Sequence, residues 1–241
     1  MFKVLSKILL VIFFYLCGLI ALTYYQTYQV KQASIQLSDL RLVAEREERK
    51  TGESDWSKGM LEVNPDYKGW LTVYGTQVDG PVVFSGDDSW YLRRNFYGES
   101  ALCGTLFLDG DTDFDLDGNL IVYGHKMKDD TMFGSLDMFK DRSFFKENGI
   151  VRWEDINGAH YYKIFALMVL PGSSEQAEYI DIQQWNNVLS AEEAREMLET
   201  IQLRASIFQE SRFTQDDRYL FLVTCDYSQT DGRLILVGKR L

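Results

Sequence analysis

VTCDYSQTDGRLILVGKR (223–240) closes the chain with two apolar runs joined by a short polar turn. YLFLVTC (219–225) ends on a thiol, and RLILVG (233–238) begins on a guanidinium. Both runs are rich in β-branched and aromatic residues and bounded by turn residues, which predicts strands. As antiparallel neighbours across DYSQTDG, they bring Cys225 and Arg233 to the same sheet end and within contact range. Working outward, the same texture recurs in WLTVYG (70–75), QVDGPVVFS (77–85), GTLFLDG (104–110), NLIVYG (119–124), GIVRWED (149–155) and HYYKIFALMVL (160–170). Asn157–Gly158 marks a tight hairpin between the last two. About eight strands without regular helix alternation predict a mainly β fold, an antiparallel or mixed closed barrel with inserted helices.

The chain has 241 residues, 46% of them hydrophobic and 14% aromatic, enough for a packed domain with appendages. Its net charge of -11 with no basic stripe excludes a general affinity for nucleic acid. Lys3 and Lys7 precede ILLVIFFYLCGLIALTYY (8–25), and the next charge is Lys31. That run meets the roughly 18–20 apolar residues a membrane helix needs. It lacks an A-x-A site and exceeds a signal-peptide core, so an uncleaved signal anchor is expected. The lysines place the N-terminus in the cytoplasm and the remainder outside. Residues 1–25 are thus read as cytoplasmic stub and anchor, 26–59 as a helical stalk and linker broken by TGESDWSKG (51–59), and 60–241 as the folded domain.

Two helical interruptions are expected within that domain. DDTMFGSLDMFKDRSFFKENG (129–149) spaces Met132, Leu136, Phe139 and Phe144 roughly as a helix does. SAEEAREMLETIQLRAS (190–206) opens on a Ser190/Glu193 capping box, with Met197, Ile201 and Ala205 along one face. DGDTDFDLDGN (109–119) imitates a calcium loop through Asp113, Asp115, Asp117 and Gly118. Its twelfth position is Gly124 rather than glutamate, so it reads as an acidic turn and no metal is assigned.

Three cysteines are present. Cys17 lies in the apolar span and Cys103 in a strand-like run, both read as packing residues. Cys225 is left as a free thiol outside the cell, a position that points to chemistry. A cation beside a thiol favours the reactive thiolate. His125, which follows NLIVYG, also belongs to a strand end, whereas His160 reads as an ordinary strand residue. Cysteine with histidine suits covalent acyl transfer. Arginine in place of the usual Asn or Asp orienter suits hydrogen bonding to a carbonyl oxygen as negative charge develops there.

These landmarks, NPDYKGWLTVYGTQVDGPVV (64–83), YGHKMKDDTMFGSL (123–136), FLVTC (221–225) and RLILVGKR (233–240), together resemble the class B sortases, membrane-anchored cysteine transpeptidases of Gram-positive bacteria. The match departs from the family strand end in reading FLVTC for TLSTC. The resemblance implies a sortase-type barrel of about eight strands on an N-terminal anchor, with the helix near 190–205 as the class B insertion. It implies that Cys225 attacks the threonine carbonyl of a sorting signal to form a thioester. His125 then moves protons to the leaving amine and from the incoming one. Arg233 stabilises the oxyanion, and Thr224 contacts substrate through backbone or hydroxyl. No cofactor is implied. The implied partners are surface proteins with an LPxTG- or NPxTN-like signal and an amine acceptor, either the cell-wall peptide of a lipid-linked precursor or a pilin lysine. Two competing readings are a membrane-anchored cysteine protease using water and a non-enzymatic adhesin or signalling ectodomain.

Overall fold

The computed structural model describes residues 7–25, 28, 41–42, 56–187, 189–210, 212–214, 216–228 and 231–241. Its strands are β1 (Tyr67–Val73), β2 (Asp79–Val83), β3 (Leu106–Leu108), β4 (Leu120–Tyr123), β5 (Ile150–Asp155), β6 (Gly158–Pro171), β7 (Ala205–Phe208), β8 (Tyr219–Asp226) and β9 (Gly232–Arg240). The helices are α1 (Lys7–Tyr25), α2 (Trp56–Val63), α3 (Arg142–Glu147) and α4 (Ala191–Arg204). The strand order is β5-β1-β2-β3-β4-β8-β9-β6, and β6 pairs back with β5 to close an eight-stranded barrel. β2–β3 and β4–β8 are parallel, so the barrel is mixed. β6 is long enough to carry two neighbours in succession on one edge. Its residues 158–163 pair with β5, and its residues 166–168 pair with the extra strand β7.

The sequence explains why the wall is continuous at β8. Residues alternate between the two faces of a strand, and both faces here are buried, which requires an unbroken apolar run. Leu220 and Leu222 pack inside the barrel with Leu71, Val82, Leu108, Val122, Leu234 and Leu236. Phe221 and Val223 point outward, to a second core shared with Met168, Trp185, Met197 and Ile201. α4 supplies Met197 and Ile201, and the Ser190/Glu193 capping box fixes where it starts. A third cluster, with Met60, Trp70, Tyr91 and Phe96, seats α2 and the segment after β2 against the wall.

Three details depart from the sequence-based expectation. α4 stops at Arg204, and Ala205 begins β7 instead of extending the helical stripe. The 129–149 stretch is not one helix. A 3-10 turn over Gly134–Lys140 gives way to α3, which Asp141 caps by accepting from the Ser143 and Phe144 amides. The β5–β6 hairpin turns on Ile156 and Asn157, with Gly158 pairing opposite Asp155 at φ +119, a conformation glycine adopts freely.

α1 has 19 residues, apolar enough to cross a membrane by length and composition. At 1.5 Å per residue it spans about 28 Å. Most of the stalk expected over 26–50 lies outside the described residues. The acidic turn at 109–119 is held by the protein itself: Asp117 pairs with Arg240 at 2.7 Å, and Asp113 accepts the Asp115 amide at 2.9 Å. His160 sits in β6, its Nδ1 2.7 Å from Arg240.

Candidate active site

The β8–β9 register sets Cys225 directly opposite Arg233. Cβ atoms of such an antiparallel pair lie about 4.5–5.5 Å apart on one face. β4 runs parallel to β8 on its other side, with Tyr123 opposite Val223. The last backbone bond between them runs from the Gly124 amide to the Val223 carbonyl at 3.1 Å. His125 follows two residues after the end of β4, as Cys225 follows two residues after Val223 on β8. The thiol, imidazole and guanidinium therefore lie at the same end of three adjacent strands, and all three residues are partly exposed.

Each is held differently. His125 Nε2 lies 2.7 Å from the Leu92 carbonyl oxygen. A carbonyl only accepts, so Nε2 is the nitrogen that donates here and Nδ1 is left free of this contact. Arg233 Nη1 donates to the Gly232 carbonyl at 3.0 Å. Gly172, at the end of β6, backs the guanidinium so closely that an added Cβ would sit 2.9 Å from Arg233 Cζ. Among the described residues no hydrogen bond joins Cys225 to His125.

Alternation assigns the neighbours of Cys225 to the opposite face. Thr224 is 3% exposed, on the strand face that carries Leu220 and Leu222, and its hydroxyl is buried without a hydrogen-bond partner among the described residues. The side chain of Thr224 is thus turned away from the face that carries the thiol. Asp226 is 1% exposed and accepts hydrogen bonds from Lys140 Nζ at 2.5 Å and from the Ser228 amide at 2.8 Å. Burial alone would raise its pKa, but the bonds from Lys140 and Ser228 outweigh that and hold the carboxyl down at about 2. Its contribution to stability is therefore in force above about pH 4 and is lost as pH falls towards 2. The other cysteine of the barrel is buried. Cys103 is 4% exposed, and burial pushes it up to about 11, which leaves negligible thiolate at neutral pH.

Sequence reasoning missed Leu92, Gly172 and the partners of Asp226. Leu92 acts through its backbone, and Gly172 by lacking a side chain. Lys140 is 86 positions from Asp226, and no local pattern connects the two.

A partly exposed thiol facing a guanidinium, with a histidine just past the adjacent strand end, is a set of groups chemically able to support acyl transfer. The family model for the sortase domain matches residues 71–241. The chain is 27% identical over 221 residues to Sortase B of Listeria monocytogenes, covering 89% of this chain and 87% of that one. A mutant form of Clostridium perfringens sortase B superposes with a TM-score of 0.71 at 28% identity, covering 86% of this chain and 98% of that one. A Streptococcus pyogenes class B sortase involved in pilus biogenesis gives a TM-score of 0.66 at 28% identity, covering 76% and 97% respectively. The barrel, its rim and these likenesses agree: the chain belongs to the sortase family, resembles its class B members, and is a transpeptidase of surface proteins.

Proposed function

We propose that Cys225 is the nucleophile of a cysteine transpeptidase that cuts a C-terminal sorting signal after threonine and passes the acyl group to an amine. The observation that carries this reading is the Cys225–Arg233 pairing with His125 at the neighbouring strand end. The Cys225 thiol passes its proton to the His125 imidazole, the sulfur adds to the threonine carbonyl, and the electron pair moves to its oxygen. Arg233 donates hydrogen bonds to that oxyanion. As the oxyanion collapses, the C–N bond breaks and His125 protonates the departing amine. The thioester is then attacked by an acceptor amine, whose proton returns to the imidazole as sulfur leaves. Thr224 contributes its backbone, since its hydroxyl is buried.

The substrate is a surface protein with an LPxTG- or NPxTN-like signal. The acceptor is the cell-wall peptide of a lipid-linked precursor or a pilin lysine. The layout that serves this has residues 1–25 as cytoplasmic stub and membrane anchor, 26–59 as stalk and linker, and 60–241 as the catalytic domain outside the cell. The 19 apolar-rich residues of α1 support that topology, as do the lysines that precede them.

The test is the dependence of turnover on added amine. The full chain in detergent micelles, given a sorting-signal peptide and a wall-type amine, yields an amide-linked product whose rate rises with amine concentration. Product that is only hydrolysed peptide, at a rate indifferent to amine, would instead identify a protease. A second expectation concerns the support of Arg233. Gly172→Ala places a Cβ 2.4 Å from the Asp231 carbonyl oxygen and 2.9 Å from Arg233 Cζ. The guanidinium must move, and kcat/KM falls about 10-fold while the barrel still unfolds cooperatively. Steady-state kinetics beside a thermal melt would check both halves.

A further inference from the structure

We propose that the ion pairs joining Asp226, Lys140, Asp137 and Lys126 are a positioning clamp that sets the placement of His125 relative to Cys225. The inference rests on the transpeptidase reading above, and it concerns residues that touch neither substrate nor the reacting atoms.

Asp226 directly follows Cys225, and Lys126 directly follows His125. The Asp226 side chain is 0% exposed and lies 2.5 Å from Lys140 Nζ and 3.8 Å from Lys126 Nζ. Asp137 bridges the same two lysines, at 2.6 Å from Lys126 and 3.0 Å from Lys140. Two carboxylates and two ammonium groups thus alternate in one neutral cluster. The Lys126 ammonium also lies 5.4 Å from the Tyr227 ring centroid, a favourable placement for a cation over an aromatic face.

This cluster lies where the backbone stops connecting the two strands. Beyond the Gly124–Val223 bond, the polar ties from residues 125–140 to the end of β8 are these ion pairs, among the described residues. The intervening loop is also strained. Asp130 and Met132 adopt φ of 62° and 52°, left-handed values that an aspartate tolerates but that a methionine holds only when its surroundings impose them. The loop closes on the His125 carbonyl, which accepts the Phe133 amide at 2.9 Å. Gly134 backs so closely on Met127 that an added Cβ would sit 2.3 Å from its carbonyl oxygen. A strained loop carrying the imidazole, pinned at both ends by charges that converge on the residue after the thiol, is built for placement.

Lys140 and Asp137 are 36% and 40% exposed while Asp226 is sealed, so these pairs add little net stability, yet removing Lys140 leaves the buried carboxylate of Asp226 less compensated. Their value here is geometric. A misplacement of about 1 Å between reacting groups lowers a rate by about 100-fold.

The test compares Lys140→Met, Lys140→Arg and Asp226→Asn with the wild type, as full chains in detergent micelles. The first readout is transpeptidation. Lys140→Met and Asp226→Asn lower kcat about 10- to 100-fold with peptide KM within about twofold, and Lys140→Arg, which keeps the ion pair, restores kcat to within about threefold. The second readout needs no substrate: the rate of Cys225 alkylation at one fixed pH, followed by peptide mass spectrometry, which reports how the neighbouring imidazole is placed against the thiol. Lys140→Arg keeps the wild-type rate within about twofold. Lys140→Met and Asp226→Asn move the rate at least about threefold, in the same direction as His125→Ala. Wild-type kcat and a wild-type alkylation rate in every clamp variant would overturn the clamp while leaving the transpeptidase standing. A wild type that forms no thioester would remove the transpeptidase reading. The clamp would then stand or fall on the alkylation rates, and identical rates in all clamp variants would overturn it.

Discussion

Cys225→Ala abolishes thioester formation and lowers transpeptidation by at least about 10⁴-fold, the scale seen when a covalent nucleophile is removed. The thiol has no substitute within the barrel. Cys103 is sealed in the core, with burial pushing its thiol up to about 11, so it supplies no thiolate to take over the attack. Cys103→Ala is expected to leave turnover essentially intact, which makes the pair a control for one another. Cys225→Ala leaves the fold unchanged, because the residue is partly exposed at the end of β8 and its removal opens no sealed cavity. Peptide kinetics on both variants, with a thermal melt of each, would settle the comparison.

Arg233→Lys is the second large effect, about 10²- to 10³-fold in kcat with a smaller change in peptide KM. Charge is retained, so any loss measures geometry. The guanidinium is a planar fork of several donors, whereas an ammonium is a compact point charge on a flexible stem. Opposite Cys225 in the register, the fork can place donors on an oxyanion forming two bonds from sulfur. The Gly232 carbonyl and the bare backbone at Gly172 hold it there. A lysine has the reach but neither the fork nor the support. If Arg233→Lys kept kcat within about twofold, Arg233 would be a substrate-binding charge and the oxyanion would need another donor.

The opening hairpin was legible because its chemistry is local. Two apolar runs separated by a short turn have one sensible pairing, and the pairing places residue 225 opposite 233. His125 was legible only as a strand end. Its adjacency to β8 depends on a parallel pairing between strands about 100 positions apart, which residue texture does not encode and family resemblance supplied. β7 was missed because ASIF is four residues long and directly follows a helix whose four-residue spacing Ala205 continues. It becomes a strand because the edge of β6 is free beyond the reach of β5. The break between the 3-10 turn and α3 was missed for a related reason: the apolar spacing is nearly periodic, and the interruption comes from the cap Asp141 supplies to the Ser143 and Phe144 amides. The charges around Asp226 were invisible, since DDTMFGSLDMFK and TCD carry no signal that they meet in space. A buried carboxylate looks the same in sequence as an exposed one.

The sulfur of Cys225 is the atom that carries the acyl group. Mixing the full chain with a sorting-signal peptide in the absence of amine, quenching in acid and mapping the digest by mass spectrometry reads that directly. The predicted result is a peptide-acyl mass on the fragment containing Cys225, removed by hydroxylamine and absent from Cys225→Ala. The same mass on the fragment containing Cys103, or no covalent adduct while peptide is still cleaved, would contradict it.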